Sequence, residues 1–444
     1  MNSGITNIRR FSIFTIFTLF IAFVPFARAK SAEFEAKPDD PFFAKFNPRK
    51  APINEGPFLQ AGDRLAICGD SITEQKMYSR IMETYLAVCV PQLKIEVRQY
   101  GWSGETAEGF LGRMTNDCLR FKPTIATTCY GMNDYKYRPF DEANGRWYHD
   151  KYTAVVHAFT ASGARVVLGT AGCVGKVASW VKSASGTLEE HNLSLCMLRD
   201  IDIDIAAQEH VRFADVFWPM FTSAFAARQK YGPAYNVAGR DGVHPDWAGH
   251  LIMAYVYLRA LGLNGDLGTF TVDLAGGTAT ATEGHQVNGF KDGTLNVTST
   301  RYPFCASGAL DKDNSIRSGM TLVPFNPDLN RMTLIVKGAT AEKYKVTWGE
   351  TSRTYTGAEL GKGVNLADDF AVNPFSPAFA KVDAAVSAKQ AYESKQIKQI
   401  FHGPEGNANM EAAVQKTEAE RAVLAAAVQA AVVPVTHTIR IEAQ

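Results

Sequence analysis

The sequence has almost no net charge, because its 46 lysines and arginines are balanced by 45 acidic residues over 444 positions. A chain without an overall positive field has no general means of holding nucleic acid or an anionic membrane surface, and we expect no nucleic-acid partner. Charged residues make up only 20% and hydrophobic residues 46%, which excludes a mainly disordered protein. A chain of this length can bury a large core and favours more than one domain.

Motifs of several enzyme and metal-binding classes are also missing. The seven cysteines are scattered, with no C-x-x-C pair and no metal-finger spacing, and their odd number leaves at least one thiol free. No H-E-x-x-H motif or three-histidine cluster occurs, so we expect no metal and no cofactor. The G-x-S-x-G turn is absent, which disfavours the serine-esterase fold built around that turn.

The one long hydrophobic run lies at the amino terminus. Two arginines precede apolar residues from Phe11 to Phe26, and Ala27-Arg28-Ala29 supplies the small residues that a signal peptidase requires. We predict a signal peptide over residues 1–29 and a leader over residues 30–61, with export to the periplasm or the medium. An uncleaved anchor is the alternative, but the run is shorter than the roughly 20 residues that span a membrane. After cleavage we expect no stable membrane insertion.

Between residues 62 and 264, short apolar runs alternate with stretches of helical periodicity. The candidate strands are Arg64–Cys68, Leu93–Val97, Thr124–Cys129, Arg165–Leu168 and Val211–Val216. Such alternation predicts a three-layer α/β/α fold with a parallel sheet covered on both faces. Ligands of such sheets bind beyond the carboxyl ends of the strands, which is where functional motifs are expected.

The composition changes near residue 265, where threonine and glycine become dense. Alternating runs at Phe270–Leu274, Met332–Val336 and Tyr344–Trp348 are typical of antiparallel strands and predict a β-rich accessory module over residues 265–376, completed by a strand within 435–442. Two alanine-rich stretches within residues 377–434 predict a helical hairpin. These parts could bind glycan, cover a sheet edge, form a dimer contact or brace the rest of the molecule, and the oligomeric state stays open.

Two polar motifs follow the first and last predicted strands of the sheet. Gly69-Asp70-Ser71 precedes a helix, where a serine can present its oxygen beside free N–H groups, although helix capping is the alternative role. The segment from Asp241 to His244 also precedes a helix. A carboxylate three residues from an imidazole can orient that ring as the general base for a serine.

Two further motifs follow the second and third predicted strands. They contain Gly104, within Tyr100–Thr106, and Asn133, within Gly131–Asp134. Acyl transfer requires donors aimed at the forming oxyanion, and a glycine N–H and an asparagine amide suit that task. Each motif alone is an ordinary turn-forming loop. Four of them at the carboxyl ends of strands predict an acyl-transfer site.

With these motifs in this order, roughly residues 62–262 resemble the SGNH hydrolases, also called GDSL-type esterases. The signature residues of the family fall on Ser71, Gly104, Asn133, Asp241 and His244. The resemblance implies a flavodoxin-like fold and an ester-hydrolysing enzyme with Ser71 as nucleophile, His244 as base and Asp241 as its orienter. It also implies an oxyanion hole made by the N–H groups of Ser71 and Gly104 and the amide of Asn133. The leucine that usually follows the nucleophile in the family is Ile72 here, a change that conserves volume.

Aromatic residues surround these motifs and suggest the substrate. Trp102, Tyr135, Tyr137 and Trp147 are predicted to form a wall for a sugar ring, with the segment Cys173–Trp180 as a further contributor and loop packing as the alternative. The absence of a long apolar groove favours a short acyl ester, acetyl above all, on a small molecule or a polysaccharide. The alternatives are a lipid or aryl esterase or thioesterase of the same fold, and a noncatalytic glycan-binding surface protein.

Overall fold

The computed structural model describes Met1 and residues 33–444. Residues 2–29 of the predicted signal peptide lie outside the described residues. Within the described part, no helix combines the length and the apolar character needed to cross a membrane.

The first sheet has five parallel strands in the order β2-β1-β3-β4-β5. Its strands are β1 (Arg64–Gly69), β2 (Glu96–Gln99), β3 (Ile125–Cys129), β4 (Arg165–Gly169) and β5 (Arg212–Ala214). The helices that accompany it are α1 (Ser71–Glu74), α2 (Tyr78–Val88), α3 (Ala107–Asp117), α4 (Glu142–Ala161), α5 (Leu188–Gln208), α6 (Phe217–Tyr231) and α7 (Trp247–Ala260). Every residue of β3 is buried, as expected for a strand covered on both faces. The predicted α/β class with a parallel sheet is confirmed.

Local signals in the sequence place most of these elements, with one clear error. A capping box formed by Thr187 and Glu190 begins α5. The second strand was predicted over Leu93–Val97, but β2 begins only at Glu96. Pro91, which has no N–H to give to a ladder, starts a 3₁₀ turn over Pro91–Leu93. The turn ends in a left-handed residue, Lys94, at φ +48°.

Two further sheets follow, built from β6 to β14. Their strands are β6 (Asp266–Asp273), β7 (Thr278–Ala281), β8 (His285–Lys291), β9 (Thr294–Ser299), β10 (Arg331–Lys337), β11 (Lys343–Trp348), β12 (Thr351–Thr356), β13 (Val364–Asn365) and β14 (Val435–Ala443). The second sheet has the order β13-β10-β6-β7 and the third the order β12-β11-β14-β9-β8. The last strand of the chain thus lies in the interior of the third sheet, between β11 and β9.

The expectation that this region is purely antiparallel is wrong at one pair. Strands β6 and β10 run parallel over seven residue pairs. A parallel pair needs a long crossover, and here the chain between the two strands builds β7, β8, β9 and two short helices, α8 (Ile316–Gly319) and α9 (Phe325–Leu329). Alternation of apolar and polar residues reports burial of one face and says nothing about strand direction.

The predicted helical hairpin is present between the short helices α10 (Gly357–Lys362) and α11 (Leu366–Asp369) and strand β14. It consists of α12 (Ser376–Lys395), a π-helical segment (Gln396–Phe401), α13 (Pro404–Ala408) and α14 (Met410–Ala431). The bounds predicted from composition for the leader, the hydrolase domain, the accessory module and the hairpin stay a prediction.

The hairpin covers the edge strand β2 of the parallel sheet. The outward carbonyl of Val97 accepts hydrogen bonds from Lys389 Nζ at 2.8 Å and Arg421 Nη2 at 2.9 Å. The outward N–H of Gln99 donates to Glu393 Oε2 at 3.2 Å. Because an exposed strand edge invites pairing with another chain, these side chains close the edge by satisfying its backbone groups.

The leader residues that the structure describes pack against α6 and β5 of the parallel sheet region. Phe43 and Phe46 are fully buried and meet Phe221 of α6 at ring distances of 5.6 and 4.7 Å. The side chain of Asn54 bonds to the backbone of Phe213 in β5. It donates to the carbonyl at 2.7 Å and accepts from the N–H at 3.2 Å. The leader therefore belongs to the folded core.

Candidate active site

Ser71 is the first residue of α1, directly beyond the carboxyl end of β1. The cap of this helix is the preceding residue, Asp70, whose side chain accepts the N–H of Ile72 at 2.9 Å. The alternative role of Ser71 as a helix cap is therefore taken by its neighbour. The hydroxyl of Ser71 is left free to bond elsewhere.

The Ser71 hydroxyl meets a histidine that lies 173 residues further along the chain. Its Oγ lies 2.8 Å from Nε2 of His244, and Nδ1 of the same ring lies 2.7 Å from Oδ2 of Asp241. Because a carboxylate only accepts, Nδ1 carries the proton, which leaves Nε2 to accept from the serine. The three predicted triad residues are thus brought together in one hydrogen-bonded chain.

Asp241 is held as an ionised group. Partial burial raises its pKa, but hydrogen bonds from the N–H groups of His244 and Val243, both 2.9 Å, and from the His244 ring outweigh that effect, so the pKa lies below its usual range. Hydrogen bonds to the charged form of a carboxyl favour ionisation. A carboxylate fixed in this way can stabilise a positive charge on His244.

A second network joins the turn that carries Ser71 to the loop that carries His244. Gln75 donates to the carbonyl of Pro245 at 3.3 Å and accepts from Nε2 of His250 at 3.1 Å, while Nδ1 of His250 accepts the N–H of Tyr78 at 3.2 Å. Burial lowers the pKa of His250 to about 3. His250 therefore stays neutral and acts as a structural link between the two loops.

The loop after β2 brings Gly104 to the same edge of the sheet. Gly104 has φ +75° and is solvent-exposed, and no atom lies within 4 Å of the position a side chain would occupy. A left-handed conformation of this kind favours glycine. The loop itself is held close to α1, since a side chain on Gly101 would come within 2.2 Å of the backbone nitrogen of Glu74.

Asn133 follows β3 and is half-buried. Its amide nitrogen donates to the carbonyl of Glu105 at 3.0 Å and lies 3.5 Å from Oδ2 of Asp70, while its oxygen accepts the hydroxyl of Tyr137 at 3.2 Å. These contacts fix the amide between the loop that carries Gly104 and the cap beside Ser71. The residues predicted to form an oxyanion hole therefore come from three neighbouring loops tied to one another.

Two buried carboxyls stand beside the signature residues. Asp134 accepts the N–H of Ala107 at 2.9 Å and that of Gly131 at 2.8 Å, which joins the second loop to the third. Burial raises the pKa of Asp70 to about 7 and that of Asp134 to about 6. Both carboxyls hold backbone geometry, since each accepts backbone N–H groups of these loops.

A buried ion pair supports the same loops. Arg113 holds Glu105 by two bonds, Nε to Oε1 at 2.5 Å and Nη2 to Oε2 at 2.7 Å, and Nη2 also donates to the carbonyl of Tyr100 at 2.7 Å. Tyr130 adds a hydroxyl bond to Glu105 at 3.0 Å. The sequence offers no local signal for this pair, because Glu105 and Arg113 resemble surface charges of a loop and a helix.

The predicted aromatic wall is only partly where it was expected. Tyr135 is 2% exposed and its hydroxyl lies 3.0 Å from Nδ1 of His191, so the expectation that it lines the site is wrong, because it packs inside the loop. Tyr137 is also buried, and its hydroxyl holds Asn133 instead of facing a ligand. Trp147 lies on α4 under the ammonium of Lys136 at 4.4 Å, and its contact with substrate stays a prediction.

Two tryptophans border the site in different ways. Trp102 packs toward the hairpin, with His402 at 4.9 Å and Lys398 Nζ at 5.1 Å from its ring. Trp180, within the segment predicted as a further contributor, stacks on the His244 ring at 5.9 Å and 28° and is 47% exposed. Trp180 thus presents an open aromatic face directly beside the histidine.

Comparison with known proteins identifies the family of the α/β region. Residues 67–252 match the model of the GDSL-like Lipase/Acylhydrolase family. The chain thus contains a GDSL-like acylhydrolase domain. It is therefore an ester-hydrolysing enzyme, as predicted, and the family resemblance drawn from the four motifs is confirmed.

Relatives of the acylhydrolase differ in how much of the chain they match. An acetylxylan esterase from Geobacillus stearothermophilus is 22% identical over 227 residues, which cover 46% of this chain and 96% of that protein. The structure of a gut microbial diltiazem-metabolizing enzyme is 20% identical, with a TM-score of 0.69, and the match covers 88% of this chain and 99% of that one. The second likeness shows that a shared fold extends well beyond residues 67–252.

Proposed function

We propose that the acylhydrolase is an exported serine esterase that removes a short acyl group, acetyl above all, from a carbohydrate. The observation that carries the proposal is the continuous chain from Ser71 Oγ through His244 to Asp241, with bonds of 2.8 and 2.7 Å. The His244 side chain is 28% exposed, so an ester can reach it from solvent.

The proposed reaction follows from this chain. His244 Nε2 takes the proton of Ser71 as its oxygen attacks the ester carbonyl, and the oxyanion is held by the N–H groups of Ser71 and Gly104 and the amide of Asn133. His244 then gives the proton to the departing alcohol, which leaves an acyl group on Ser71. A water molecule, deprotonated by His244, attacks this acyl-enzyme, releases the acid and restores the serine. Asp241 remains ionised throughout and stabilises the charged imidazole.

The proposed alcohol is a sugar because of the open aromatic surface beside His244. Trp180 is 47% exposed and its neighbour Val177 is 38% exposed, so both present apolar area to solvent within one loop. An aromatic face of this kind suits the apolar side of a sugar ring. The similarity to an acetylxylan esterase supports an acetyl ester as the bond that is cleaved.

Export is proposed from the amino-terminal pattern, and the cysteines are compatible with it. All seven cysteines lie in the described part of the chain as buried, unpaired thiols. Burial raises the pKa of several of them, among them Cys173 and Cys305, to about 12. Since the thiolate is the reactive form, such thiols withstand an oxidising compartment.

The test is a product screen with matched variants. Wild-type protein should release acetate from acetylated polysaccharides and prefer acetyl over octanoyl chromogenic esters, and a Ser71→Ala variant should release none. A preference for octanoyl esters would reject the short-chain assignment, and full activity of Ser71→Ala would reject the serine mechanism. Trp180→Ala should raise KM for the polysaccharide and leave KM for a small aryl acetate unchanged. Cell fractionation with amino-terminal sequencing of the mature protein tests export.

A further inference from the structure

The proposed mechanism requires Gly104 to hold a fixed position, but no side chain of its own anchors it. Its N–H is one of the oxyanion donors, yet the residue is exposed, and nothing packs within 4 Å of its missing side chain. A donor must lie within about 3 Å of the oxyanion position to be useful. Its position must therefore be fixed through the residues on either side, Ser103 and Glu105.

The first flank is held by the hairpin through α1. Glu74 Oε2 accepts both the N–H and the hydroxyl of Ser103, each at 2.6 Å. Its other oxygen, Oε1, accepts Lys398 Nζ at 2.6 Å. Burial raises the pKa of Glu74, but the bonds from Lys398 and Ser103 outweigh it and keep this pKa below its usual range. The carboxylate of Glu74, which binds Ser103, is thus paired with the ammonium of Lys398 in the hairpin.

The second flank is held by the hairpin through α3. His402 Nε2 lies 2.8 Å from Oδ2 of Asp117, a fully buried carboxylate that also accepts Arg113 Nη1 at 3.3 Å. Arg113 in turn holds Glu105, whose carbonyl accepts the amide of Asn133. This route reaches Glu105 and Asn133 together.

Both hairpin residues belong to an unusual piece of helix. Lys398 lies in the π-helical segment Gln396–Phe401, and His402 is the residue that ends it. π-Helical turns are rare and occur frequently at functional sites. The ring of Trp102, between the two routes, contacts both Lys398 and His402.

We propose that Lys398 and His402 are positioning residues for the oxyanion hole, acting through Glu74–Ser103 and through Asp117–Arg113–Glu105 on the two flanks of Gly104. The proposal rests on the proposed function, in which Gly104 and Asn133 are the donors. The hairpin would then have a part in catalysis besides covering the sheet edge. It would make the acyl-transfer site of this chain dependent on residues outside the family-matched region.

The test compares Lys398→Met with Lys398→Arg in the full-length protein. With an aryl acetate as substrate, Lys398→Met should lower kcat roughly 10-fold with KM changed less than about 2-fold, a fraction of the loss expected when a whole donor is removed. The affinity for a boronic acid, which forms a tetrahedral adduct with the serine, should fall by a similar factor. Lys398→Arg should restore most of kcat, since it keeps a donor for Glu74. His402→Ala should lower kcat by a smaller factor than Lys398→Met.

The control is Glu418→Gln, which removes the charge that pairs with Arg98 of β2 and keeps a side-chain oxygen to accept from Gln396 at the start of the π-helical segment. It should lower the melting temperature and leave kcat unchanged. An equal loss of kcat in Glu418→Gln would overturn the proposal in favour of general loosening. A rise in KM at constant kcat in Lys398→Met would overturn it in favour of direct substrate contact, and an unchanged kcat would overturn it outright.

Failure of this inference is distinguishable from failure of the proposed function. Asn133→Ala removes a proposed donor directly. If Asn133→Ala loses activity and Lys398→Met does not, only the role of the hairpin is wrong. If Asn133→Ala is fully active, the oxyanion hole itself is wrongly assigned.

Discussion

The acylhydrolase contains two serine–histidine networks, one at the candidate active site and one inside the β-rich region. In the first, Ser71 bonds to His244 and His244 to Asp241. In the second, Ser299 lies 2.9 Å from Nε2 of His437, and Nδ1 of His437 accepts the indole N–H of Trp348 at 3.1 Å. The serine–histidine distances are nearly the same, so distance alone does not distinguish a catalytic pair from a structural one.

The difference lies in the third partner and in access. Asp241 is an acceptor and stabilises a protonated ring, whereas Trp348 is a donor and would oppose a second proton on His437. Burial lowers the pKa of His437 to about 3, and Ser299 is fully enclosed. The hydroxyl of Ser299 donates a hydrogen bond to Nδ1 of His285 at 2.8 Å, and Nε2 of His285 donates to the carbonyl of Leu267 at 2.8 Å. All hydrogen bonds of the second network are therefore made by neutral groups. The network joins the second sheet to the third.

Removal of each serine hydroxyl should distinguish the two networks most clearly. Ser71→Ala should lower kcat by roughly 10⁵-fold or more, because the nucleophile is lost, with little change in melting temperature. Ser299→Ala should leave kcat unchanged and cost about 1–3 kcal/mol of unfolding free energy, because two buried imidazole nitrogens lose their partner. Chromogenic ester assays and chemical denaturation measure both. The reverse pattern would show that the wrong serine had been assigned to catalysis.

The next test concerns the third partner at the active site. Asp241→Asn should lower kcat roughly 10³- to 10⁴-fold, because an amide neither fixes the ring tautomer nor stabilises the imidazolium. The rate should be measured across pH 6–9 with an aryl acetate. Asp246→Asn, a helix cap five residues later, is the control and should retain wild-type kcat. Near-normal activity of Asp241→Asn would show that the carboxylate only shapes the loop.

A smaller loss is expected from one oxyanion donor. Asn133→Ala should lower kcat roughly 10²-fold, since one preorganised donor contributes about that much to acyl transfer. Tyr137→Phe, which removes only the hydroxyl bonded to the Asn133 oxygen, should lower kcat far less. Steady-state kinetics of the two variants side by side provide the measurement. A larger effect for Tyr137→Phe than for Asn133→Ala would contradict the proposed roles.

Changes in the buried network of Ser299 and His437 should leave activity unchanged. Their effect should appear in the free energy of unfolding and in how it depends on pH. The pKa of His437 in the folded protein, about 3, lies below the ordinary value of 6.5, so the unfolded chain takes up the proton first as the pH falls. Its contribution to stability is complete above about pH 6.5 and is lost toward pH 3, at up to about 1.4 kcal/mol per pH unit. Asp70 and Asp134, with raised pKa values, act in the opposite direction.

A variant isolates this contribution from the carboxyls. His437→Gln should be less stable than wild type near neutral pH, and the difference should shrink as the pH is lowered to about 4.5, because the variant lacks the group that binds the proton. Urea unfolding at several pH values measures this. Parallel curves for His437→Gln and wild type would contradict the assignment.

Much of the catalytic region could be predicted because its signals are local. The run of apolar residues before Ser71 specifies a buried strand, and Asp241-x-x-His244 places a carboxylate and an imidazole on one turn. The start of β2 was predicted too early in the chain, because the residues before it are apolar and resemble a strand. Pro91 starts a 3₁₀ turn there instead. Tyr135 was misplaced because its burial depends on His191, which lies 56 residues away in the chain.

The order of strands and helices along the chain and the family of its α/β region follow from the amino-acid sequence, since each depends on periodicity or on motifs of a few neighbouring residues. The same motifs predict Ser71, Asp241 and His244 as a triad, and the fold brings the three side chains within hydrogen-bonding distance. Packing between distant elements makes β6 and β10 parallel, joins Ser299 to His437 in a buried hydrogen bond, and brings Lys398 and His402 against Trp102 in the loop of Gly104. Those contacts join residues between about 60 and 300 positions apart. Their geometry depends on packing between elements, which leaves no mark in local sequence.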